Sequence, residues 1–413
     1  MKNEQNVPQV RFKGFTDAWE QRRFSELVLI ERGGSPRPID EFITDSPDGL
    51  NWVKIGDAPE QGNYITKTAE KIKPEGLSKT RQVQPGDLIL SNSMSFGKPY
   101  IMAINGCIHD GWLLIRDTEN RFDLKFLCHM LGTTQMLEQY KSLAAGSTVN
   151  NLNKELVGNT LVSIPDKAEQ VVIGGYFEHL DNLITLHQRK CETLQKLKKS
   201  MLQKMFPKNG SLYPEIRFAG FTDAWEQREL GSISEKVTKK NQDMVCDEVF
   251  TNSAEYGIIS QRDFFDKDIA NSENIDGYYI VEPNDFVYNP RISTLAPFGP
   301  IRRNKLEKSG AMSPLYYVFR THGVDYGFLE YYFKTNGWHS FMHLNGNSGA
   351  RSDRFAIRDD IFKEMPITMP QNVVEQQAIG KYFANLDNLI TLHQRKLETL
   401  KKMKKSMLQK MFI

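Results

Sequence analysis

The sequence is poor in the features that mark secreted and membrane proteins. Its 413 residues contain only four cysteines, which are far apart at Cys107, Cys128, Cys191 and Cys246. This spacing excludes a zinc ribbon and argues against a disulfide framework, as in a reducing cytoplasm. No run approaches the roughly 18 apolar residues of a membrane helix, and the first residues lack the apolar centre of a signal peptide. We expect a soluble cytoplasmic protein that makes no contact with a membrane.

The sequence also lacks a dominant charge. The formal net charge is only +2, so no global basic field indicates a nucleic-acid partner. Charge is nevertheless uneven, because seven Lys or Arg residues lie between Arg189 and Lys208 against the single acidic residue Glu192. This basic segment is either the solvated face of a helix or part of a binding surface.

Motifs for catalysis are missing as well. An adenine methyltransferase needs an N-P-P-aromatic or D-P-P-aromatic element, and Asn289-Pro290-Arg291 lacks both the second proline and the aromatic residue. A motor ATPase needs a P-loop, which Gly97-Lys98-Pro99 does not provide. His339 and His343 have zinc-ligand spacing, but Ser340 replaces the glutamate of HExxH, so packing or surface roles are favoured. We therefore expect no catalytic residue, no metal site and no bound cofactor.

The sequence does contain a repeated segment, and each copy is predicted to form a long helix. Residues 169–206 and 375–412 match at 30 of 38 positions at an offset of 206. Both copies are rich in Leu, Lys, Gln, Glu and Met and lack proline, which favours helix. Apolar residues recur at spacings of three and four, the pattern of a coiled-coil seam, in a helix roughly 57 Å long. We predict that the two copies pair with each other through the residues Leu180, Ile184, Leu194, Met201, Leu386, Ile390, Leu400 and Met407.

A second repeated block divides the chain into two equal halves. Val10–Gln21 and Ile216–Gln227 share ten of twelve positions at the same offset of 206. In the first half we predict a repeated block at 1–22, a variable domain at 23–166 and a long helix at 167–206. In the second half we predict a linking loop with the second block at 207–228, a variable domain at 229–371 and a long helix at 372–413. Trp19 and Trp225 lie in the repeated blocks, so we expect each to anchor its block against a long helix.

The two variable domains differ in sequence but follow one plan. Each has a strand after an acidic turn, at Asp87 and Asp285, and then an apolar strand that ends in Arg116 or Arg320. Helical stretches near 123–140 and 325–343 follow, then a small-polar loop, a short strand and a proline. The predicted fold class is α+β: two similar mixed α/β domains, joined and separated by two long helices packed as an antiparallel coiled coil with a pseudo-two-fold internal repeat.

The contrast between the matching blocks and helices and the unlike variable domains suggests a functional hypothesis. Where the halves agree, they should contact each other and two copies of one partner; where they differ, they should contact different targets. Duplex DNA suits such a molecule, because two half-sites are reached at multiples of one helical turn, roughly 34 Å.

The chain resembles the specificity subunit of type I restriction–modification enzymes over essentially its whole length. The resemblance is carried by the FTDAWEQR blocks at 15–22 and 221–228, the LDNLITLHQRK segments at 180–190 and 386–396, and the block from Gly146 to Gln170. It implies that each variable region is a target-recognition domain for one half of a bipartite, asymmetric site in double-stranded DNA. The long helices would set the spacing between half-sites.

The resemblance also implies partners. Two modification subunits would dock on the helices and methylate adenine with S-adenosylmethionine, and two restriction or motor subunits would use ATP and Mg²⁺. The specificity subunit itself would perform no chemistry. Two alternatives remain open, namely a self-contained restriction–modification enzyme and a scaffold that binds only proteins.

Candidate DNA contacts lie in the polar loops of each variable domain, since Arg, Lys, Asn and Ser side chains read bases and phosphates. In the first domain the candidates are Asn92, Ser93, Ser95, Lys98, Ser147, Thr148, Asn150 and Asn151. In the second domain they are Asn289, Arg291, Ser293, Asn347, Ser348, Arg351, Ser352 and Arg354. The alternative is that these are ordinary polar loops. For the tyrosine pairs at 278–279, 316–317 and 331–332 we favour core positions over base stacking, and for His187 and His393 a role in helix register.

Overall fold

The computed structural model describes six stretches of the chain, residues 6–92, 97–144, 152–208, 210–264, 275–348 and 353–413. The chain forms two compact units. The first comprises Met1–Cys191 and His393–Ile413, and the second comprises Glu192–Leu392. Each unit therefore contains one variable domain and a part of both long helices.

The described residues of the first unit form eleven strands and four α-helices, besides short 3-10 turns and the end of the second long helix. The strands are β1 (Glu20–Arg23), β2 (Leu29–Arg32), β3 (Leu50–Val53), β4 (Tyr64–Ile65), β5 (Glu70–Ile72), β6 (Arg81–Val83), β7 (Leu88–Ser91), β8 (Pro99–Met102), β9 (Gly106–Ile108), β10 (Trp112–Arg116) and β11 (Leu161–Ile164). The helices are α1 (Leu124–Leu131), α2 (Thr134–Ala144), α3 (Lys154–Gly158) and α4 (Lys167–Lys204), the last of which continues into the second unit. Two sheets form the domain, in the orders β2-β10-β7-β8-β4 and β5-β3-β9-β6, and β1 pairs with β11.

The second unit repeats this arrangement. Its strands are β12 (Glu226–Glu229), β13 (Ser234–Lys236), β14 (Val249–Ser253), β15 (Gly257–Ser260), β16 (Tyr279–Val281), β17 (Phe286–Tyr288), β18 (Ile301–Arg303), β19 (Gly310–Met312), β20 (Tyr317–Thr321), β21 (Asn347–Ser348), β22 (Phe355–Ala356) and β23 (Pro366–Met369). Its helices are α5 (Gln261–Phe264), α6 (Tyr326–Tyr332), α7 (His339–Asn345), α8 (Asp359–Lys363) and α9 (Val373–Met411). The sheets have the orders β13-β20-β17-β18 and β15-β14-β19-β16, while β12 pairs with β23 and β21 with β22.

The acidic turn and the terminal arginine of the predicted strands contact each other. Arg116 at the end of β10 donates two hydrogen bonds to Asp87, at 2.8 and 2.6 Å. Arg320 in β20 does the same to Asp285, at 2.8 and 3.0 Å. Because such paired bonds fix the guanidinium in one plane, each pair aligns two neighbouring central strands where the first begins and the second ends. The shared plan of the two domains is confirmed.

The long helices begin within one residue of the predicted bounds of 167–206 and 372–413 and end two residues before them. α4 runs from Lys167 to Lys204 and α9 from Val373 to Met411. Side chains just before the helices cap them: Asp166 accepts from Glu169 N at 2.8 Å, and Asn372 accepts from Val374 N at 2.8 Å. None of the described helices combines the length and the apolar character that a membrane span requires.

Within each unit the two helices run antiparallel. In the first unit, Lys404 of α9 pairs with Asp181 of α4. Further along α4, His187 Nδ1 lies 2.9 Å from His393 Nδ1, so one imidazole donates to the other. In the second unit Lys198 of α4 pairs with Asp387 of α9. The predicted pairing direction is confirmed, and the facing histidines agree with a role in register.

The predicted seam residues pack inside the units. Leu180, Leu386 and Ile390 are buried. The remaining ones are partly buried, at Ile184, Leu194, Met201, Leu400 and Met407. The three buried residues therefore pack within the units, while the five partly buried ones keep some accessible surface. That partner subunits also dock on the helices through these residues stays a prediction.

Each repeated block is clamped to the start of a long helix. Arg11 donates two hydrogen bonds to Glu169, both 2.7 Å long, and Trp19 Nε1 donates a third at 3.2 Å. At the offset of 206, Arg217 and Trp225 make the same bonds to Glu375, at 2.7, 2.8 and 3.3 Å. Because both glutamates are almost fully buried, these bonds compensate the loss of their hydration. The tryptophans anchor the blocks as predicted.

Candidate nucleic-acid interface

In the first domain, the described ends of the two polar loops predicted to contact DNA are joined by a backbone hydrogen bond. Leu152 N, at the end of the second loop, donates to the carbonyl of Asn92 in the first loop at 3.1 Å. The first loop is itself held by Ser91 Oγ, which accepts from Lys98 N at 3.0 Å. Asn92, Lys98 and Leu152 therefore lie close together beside the end of β7.

The side chain of Asn92 points into the first domain. Its side chain is buried, and its amide donates to the carbonyl of Asp110 at 2.8 Å. A buried amide that is already hydrogen-bonded is not free to read a base edge. The prediction that Asn92 contacts DNA directly is therefore corrected: its side chain is buried and bonded within the domain.

Lys98 is half-buried, and its ammonium lies 4.9 Å above the ring of Tyr100. This cation–π contact orients the side chain. The other first-domain candidates lie outside the described residues: Ser93, Ser95, Ser147, Thr148, Asn150 and Asn151.

In the second domain the corresponding loops are joined by two backbone hydrogen bonds. Ile292 N donates to Asp353 O at 2.9 Å, and Phe355 N donates to Pro290 O at 2.7 Å. These bonds place Arg291 directly opposite Arg354, and both side chains are exposed. Two arginines separated by 63 positions in sequence thus reach solvent side by side, in a geometry suited to phosphate or guanine.

Asn289 and Ser293 shape the loop around Arg291. The Asn289 amide donates to Asn252 O at 2.8 Å, and its oxygen accepts from Arg291 N at 3.0 Å. Asn289 is therefore a supporting residue and not a free base contact, which corrects the prediction for it. Ser293 is exposed and closes a tight turn with Ala296 through backbone bonds of 3.1 and 3.0 Å.

A strand pair replaces part of the second predicted loop. β21 pairs with β22 in antiparallel register, with Asn347 opposite Ala356 and Ser348 opposite Phe355. Asn347 and Ser348 are exposed. The prediction of an irregular loop is wrong for these residues, because ladder hydrogen bonds extend the backbone here. Arg351 and Ser352 lie outside the described residues.

A cleft of about 780 Å³ adjoins this strand pair. Its walls include Arg354 and Asn347 from the predicted set, together with Lys236 on β13 and the exposed Arg358. Lys236 lies 5.2 Å above the ring of Tyr317 and pairs with Asp359. Burial raises the pKa of Tyr317 to about 12, so its phenol stays protonated and neutral at neutral pH. The cleft is thus lined by an aromatic ring and by mainly positively charged side chains.

Sequence reasoning missed Lys236 and Arg358. Lys236 stands far from the polar loops in sequence and reaches the cleft only because β13 pairs with β20. Arg358 precedes α8, and its guanidinium is held by Asp360 at 3.1 and 2.6 Å. No local motif distinguishes these two residues from other surface cations.

The histidine and tyrosine pairs behave mainly as packing residues. His339 has its ring 4.6 Å from that of Trp338 and 5.0 Å from that of Phe298. Tyr331 and Tyr332 are buried in the core of the second unit. Among the residues that the structure describes, no group of three or more His, Cys, Asp or Glu side chains is placed to hold a metal ion.

Comparison with known proteins matches both halves of the chain. A model of the type I restriction modification DNA specificity domain matches residues 16–196 and again residues 222–402. The two matches are offset by the same 206 positions as the repeats. A type I restriction enzyme MjaVIII specificity subunit from Methanocaldococcus jannaschii is 23% identical over 426 residues, covering 98% of this chain and 94% of that protein.

Solved structures share the fold. The S subunit of a type I restriction–modification system from M. genitalium superposes with a TM-score of 0.60 at 14% identity, covering 98% of this chain and 99% of that one. A chain from a structure that addresses complex assembly and conformational transition of a type I R-M system has a TM-score of 0.51 at 16% identity, covering 95% of this chain and 97% of its own length.

Proposed function

The chain belongs to the family of type I restriction–modification DNA specificity subunits, and from this premise we propose that its two variable domains read the two halves of a bipartite, asymmetric DNA site. Recognition of a DNA sequence is the family's function; the division into half-sites is our proposal for this chain. Residues 23–166 would read one half and residues 229–371 the other. The helices α4 and α9 would set the number of unspecified base pairs between them.

One observation supports this division above the others. In each domain a residue just after a buried strand, Asn92 or Pro290, accepts a backbone hydrogen bond from a residue at the end of the later polar loop, Leu152 or Phe355. The backbone arrangement repeats, but the side chains it presents differ. Matching scaffolds with unlike surfaces suit two different base sequences read in the same way.

In the second domain, Arg291 and Arg354 would make the main contacts. Their side-by-side exposure allows one to bind guanine through paired hydrogen bonds while the other binds a neighbouring phosphate. Asn347, Ser348 and Ser293 are exposed nearby and supply further donors and acceptors. Lys236 and Arg358 at the cleft would add phosphate contacts, which weaken with increasing salt.

We further propose that catalysis resides on partner subunits. Two modification subunits would dock on the helices and use S-adenosylmethionine, and two restriction or motor subunits would use ATP and Mg²⁺. The exposed leucines on the helices offer apolar docking points, with 46% of Leu186 and 49% of Leu392 accessible. The complex would act on double-stranded DNA in the cytoplasm.

The test begins by mapping methylated adenines in the DNA of cells that carry this chain with its modification subunit. Both half-sites and the gap should appear as one split motif. Arg354→Ala should then weaken binding of the assembled complex to that motif roughly 10- to 100-fold and relax one base position. Arg228→Ala, a surface arginine of the repeated block with 40% of its side chain exposed, is the matched control and should leave binding unchanged.

The same measurements separate the alternatives. A scaffold that binds only proteins would show no sequence-selective gel shift with the modification subunit present. A self-contained enzyme would transfer labelled methyl groups to DNA without any partner. Either result would overturn the proposal.

A further inference from the structure

The repeated Leu-Asp-Asn-Leu segment places one aspartate in each unit at the point where the helix pair meets a variable domain. These residues are Asp181 on α4 and Asp387 on α9. We infer that each aspartate is a joint that fixes the orientation of its variable domain on the helices, and thereby controls how strictly the spacing between half-sites is enforced. This inference rests on the proposed bipartite recognition.

In the second unit, Asp387 binds groups from two sides. Lys198 of the opposite helix donates to Oδ1, and the Tyr331 hydroxyl of α6 donates to Oδ2 at 2.8 Å. Lys334, from the segment after α6, lies 3.7 Å from Oδ2. Both lysines also lie over the Tyr331 ring, at 5.8 and 4.2 Å. One carboxylate thus joins two helices and a variable domain.

In the first unit, Asp181 has the same position with different domain-side partners. Lys404 of the opposite helix donates to Oδ1, as Lys198 does in the second unit. On the domain side, Asn63 Nδ2 donates to Oδ2 at 2.9 Å, and His129 Nε2 lies 3.6 Å from the same oxygen. The helix-side contact is therefore conserved between the halves, and the domain-side contact is adapted to each domain.

His129 and Tyr331 occupy corresponding places. Each is six residues after the aspartate that caps its helix, Asp123 for α1 and Asp325 for α6. The backbone of each capping residue is bound in turn to the long helix, by Gln170 Oε1 at 2.9 Å and Gln376 Oε1 at 2.8 Å. Helices α1 and α6 are therefore each held to the long helix at the capping residue and again six residues later, at the joint.

The neighbouring lysines keep the carboxyl group of Asp387, the joint of the second unit, ionised. Burial alone would raise the pKa of Asp387, but the hydrogen bond from Lys198 and the charges of Lys334 and Lys198 outweigh it and lower that pKa. Because the carboxylate accepts bonds from opposite directions, a tilt of the domain against the helices must break one of them. The joint resists the motion that would move a bound half-site along the DNA.

The test uses the full chain assembled with its modification subunit. Methylation rates are measured on DNA with the natural gap and on DNA with the gap one base pair longer or shorter. Tyr331→Phe removes only the hydroxyl and retains the ring, and Asp387→Ala removes the whole joint. Both should reduce discrimination between gap lengths, roughly 3- to 30-fold, with the larger loss for Asp387→Ala. Lys199→Ala, next to Lys198 but exposed, should behave like the natural chain.

The outcomes distinguish the joint from a purely structural role and from failure of the proposed function. If Tyr331→Phe and Asp387→Ala lower the unfolding midpoint but leave gap discrimination intact, the joint inference is wrong. If the natural chain itself shows no preference for gap length, the bipartite proposal fails first. Reduced discrimination with retained binding to each half-site supports the joint.

Discussion

At Gly174 the first long helix approaches α1 so closely that one added methyl group does not fit. A Cβ there would lie 2.4 Å from Asp123 Oδ1 and 2.7 Å from Phe126 N. Gly380 on the second helix is equally restricted, with Gly327 C and Phe328 N each 2.9 Å from its hypothetical Cβ. In both units a glycine allows the capped end of a domain helix to rest on the long helix.

Gly174→Ala should destabilise the first unit by about 1–3 kcal/mol, because the clash involves backbone and a capping carboxylate that cannot move away cheaply. Gly175 is the matched control, since no atom lies within 4 Å of its added Cβ. Gly175→Ala should be neutral or stabilising by up to about 1 kcal/mol through helix propensity. Denaturant unfolding followed by circular dichroism measures both, and equal effects of the two substitutions would contradict the close approach.

His129 gives the first unit a pH dependence. Burial, with a smaller effect from Lys404, lowers the pKa of His129 from 6.5 to about 3. The folded protein therefore holds this imidazole neutral, whereas the unfolded chain protonates it below about pH 6.5. The stability it contributes is complete above that pH and is lost as the pH falls toward the folded value.

We expect the free energy of unfolding to fall by about 2 kcal/mol between pH 7.5 and 5.0 on account of His129. His129→Tyr, which places the residue type of Tyr331 at this position, should remove that component of the pH dependence. His179→Gln, a change at an exposed histidine of α4, should retain it. A natural chain and a His129→Tyr chain with the same pH dependence would show that His129 is not buried neutral.

At the scale of elements, the long helices present two kinds of apolar residue. Leu180 and Leu386 are buried against the domains, whereas Leu186 and Leu392 remain about half exposed, at 46% and 49%. The exposed pair is related by the offset of 206, so both copies of a repeated partner could use the same contact. A partner that binds once to each copy of the repeat would need such an equivalent contact on both helices.

Leu186→Glu combined with Leu392→Glu should weaken assembly with the modification subunit at least about tenfold, since truncation or charging of a central apolar contact has effects of this size. The unfolding midpoint should not change, because neither side chain belongs to a core. Leu344→Glu is the control: it is 81% exposed but lies in the second variable domain. Assembly measured by sedimentation should be normal for Leu344→Glu, and normal assembly of the double variant would remove these leucines from the docking surface.

At the scale of the whole molecule, recognition should be modular. Replacing residues 23–166 by another domain of the same family should change one half of the methylated motif and leave the other half and the gap unaltered. The reason is that the first variable domain and its repeated block contact the helices at Asp181 and at Glu169, which binds Arg11, and all these residues lie in the first unit. Methylome mapping reads the result directly, and a change in both halves would contradict modular recognition.

The predicted elements were most accurate where a pattern was long or paired with a partner in sequence. The apolar strands β7, β10, β17 and β20 and both long helices were identified, because buried strands and seam helices carry regular apolar spacing. The pairing of β21 with β22 was not predicted, since each strand has only two residues, too few for a regular apolar spacing. Ladder bonds, not composition, define such short strands.

The candidate site was predicted as loops but not residue by residue. Arg291 and Arg354 are exposed as expected, whereas Asn92 and Asn289 turn inward and hydrogen-bond to backbone carbonyls. An asparagine has the same preference for a polar loop whether it faces solvent or supports the loop. Only the tertiary structure distinguishes these two roles.

By itself, the sequence determined that this chain is a duplicated molecule with two unlike domains and two like helices, because a repeat at one fixed offset and an apolar period are properties of the chain alone. The tertiary structure decided which residues meet across long separations: Lys198 with Asp387, Lys236 with the cleft of Arg354, and Arg291 with its opposite arginine. Such encounters depend on strand pairing and helix register, which bring together residues that have no local relation.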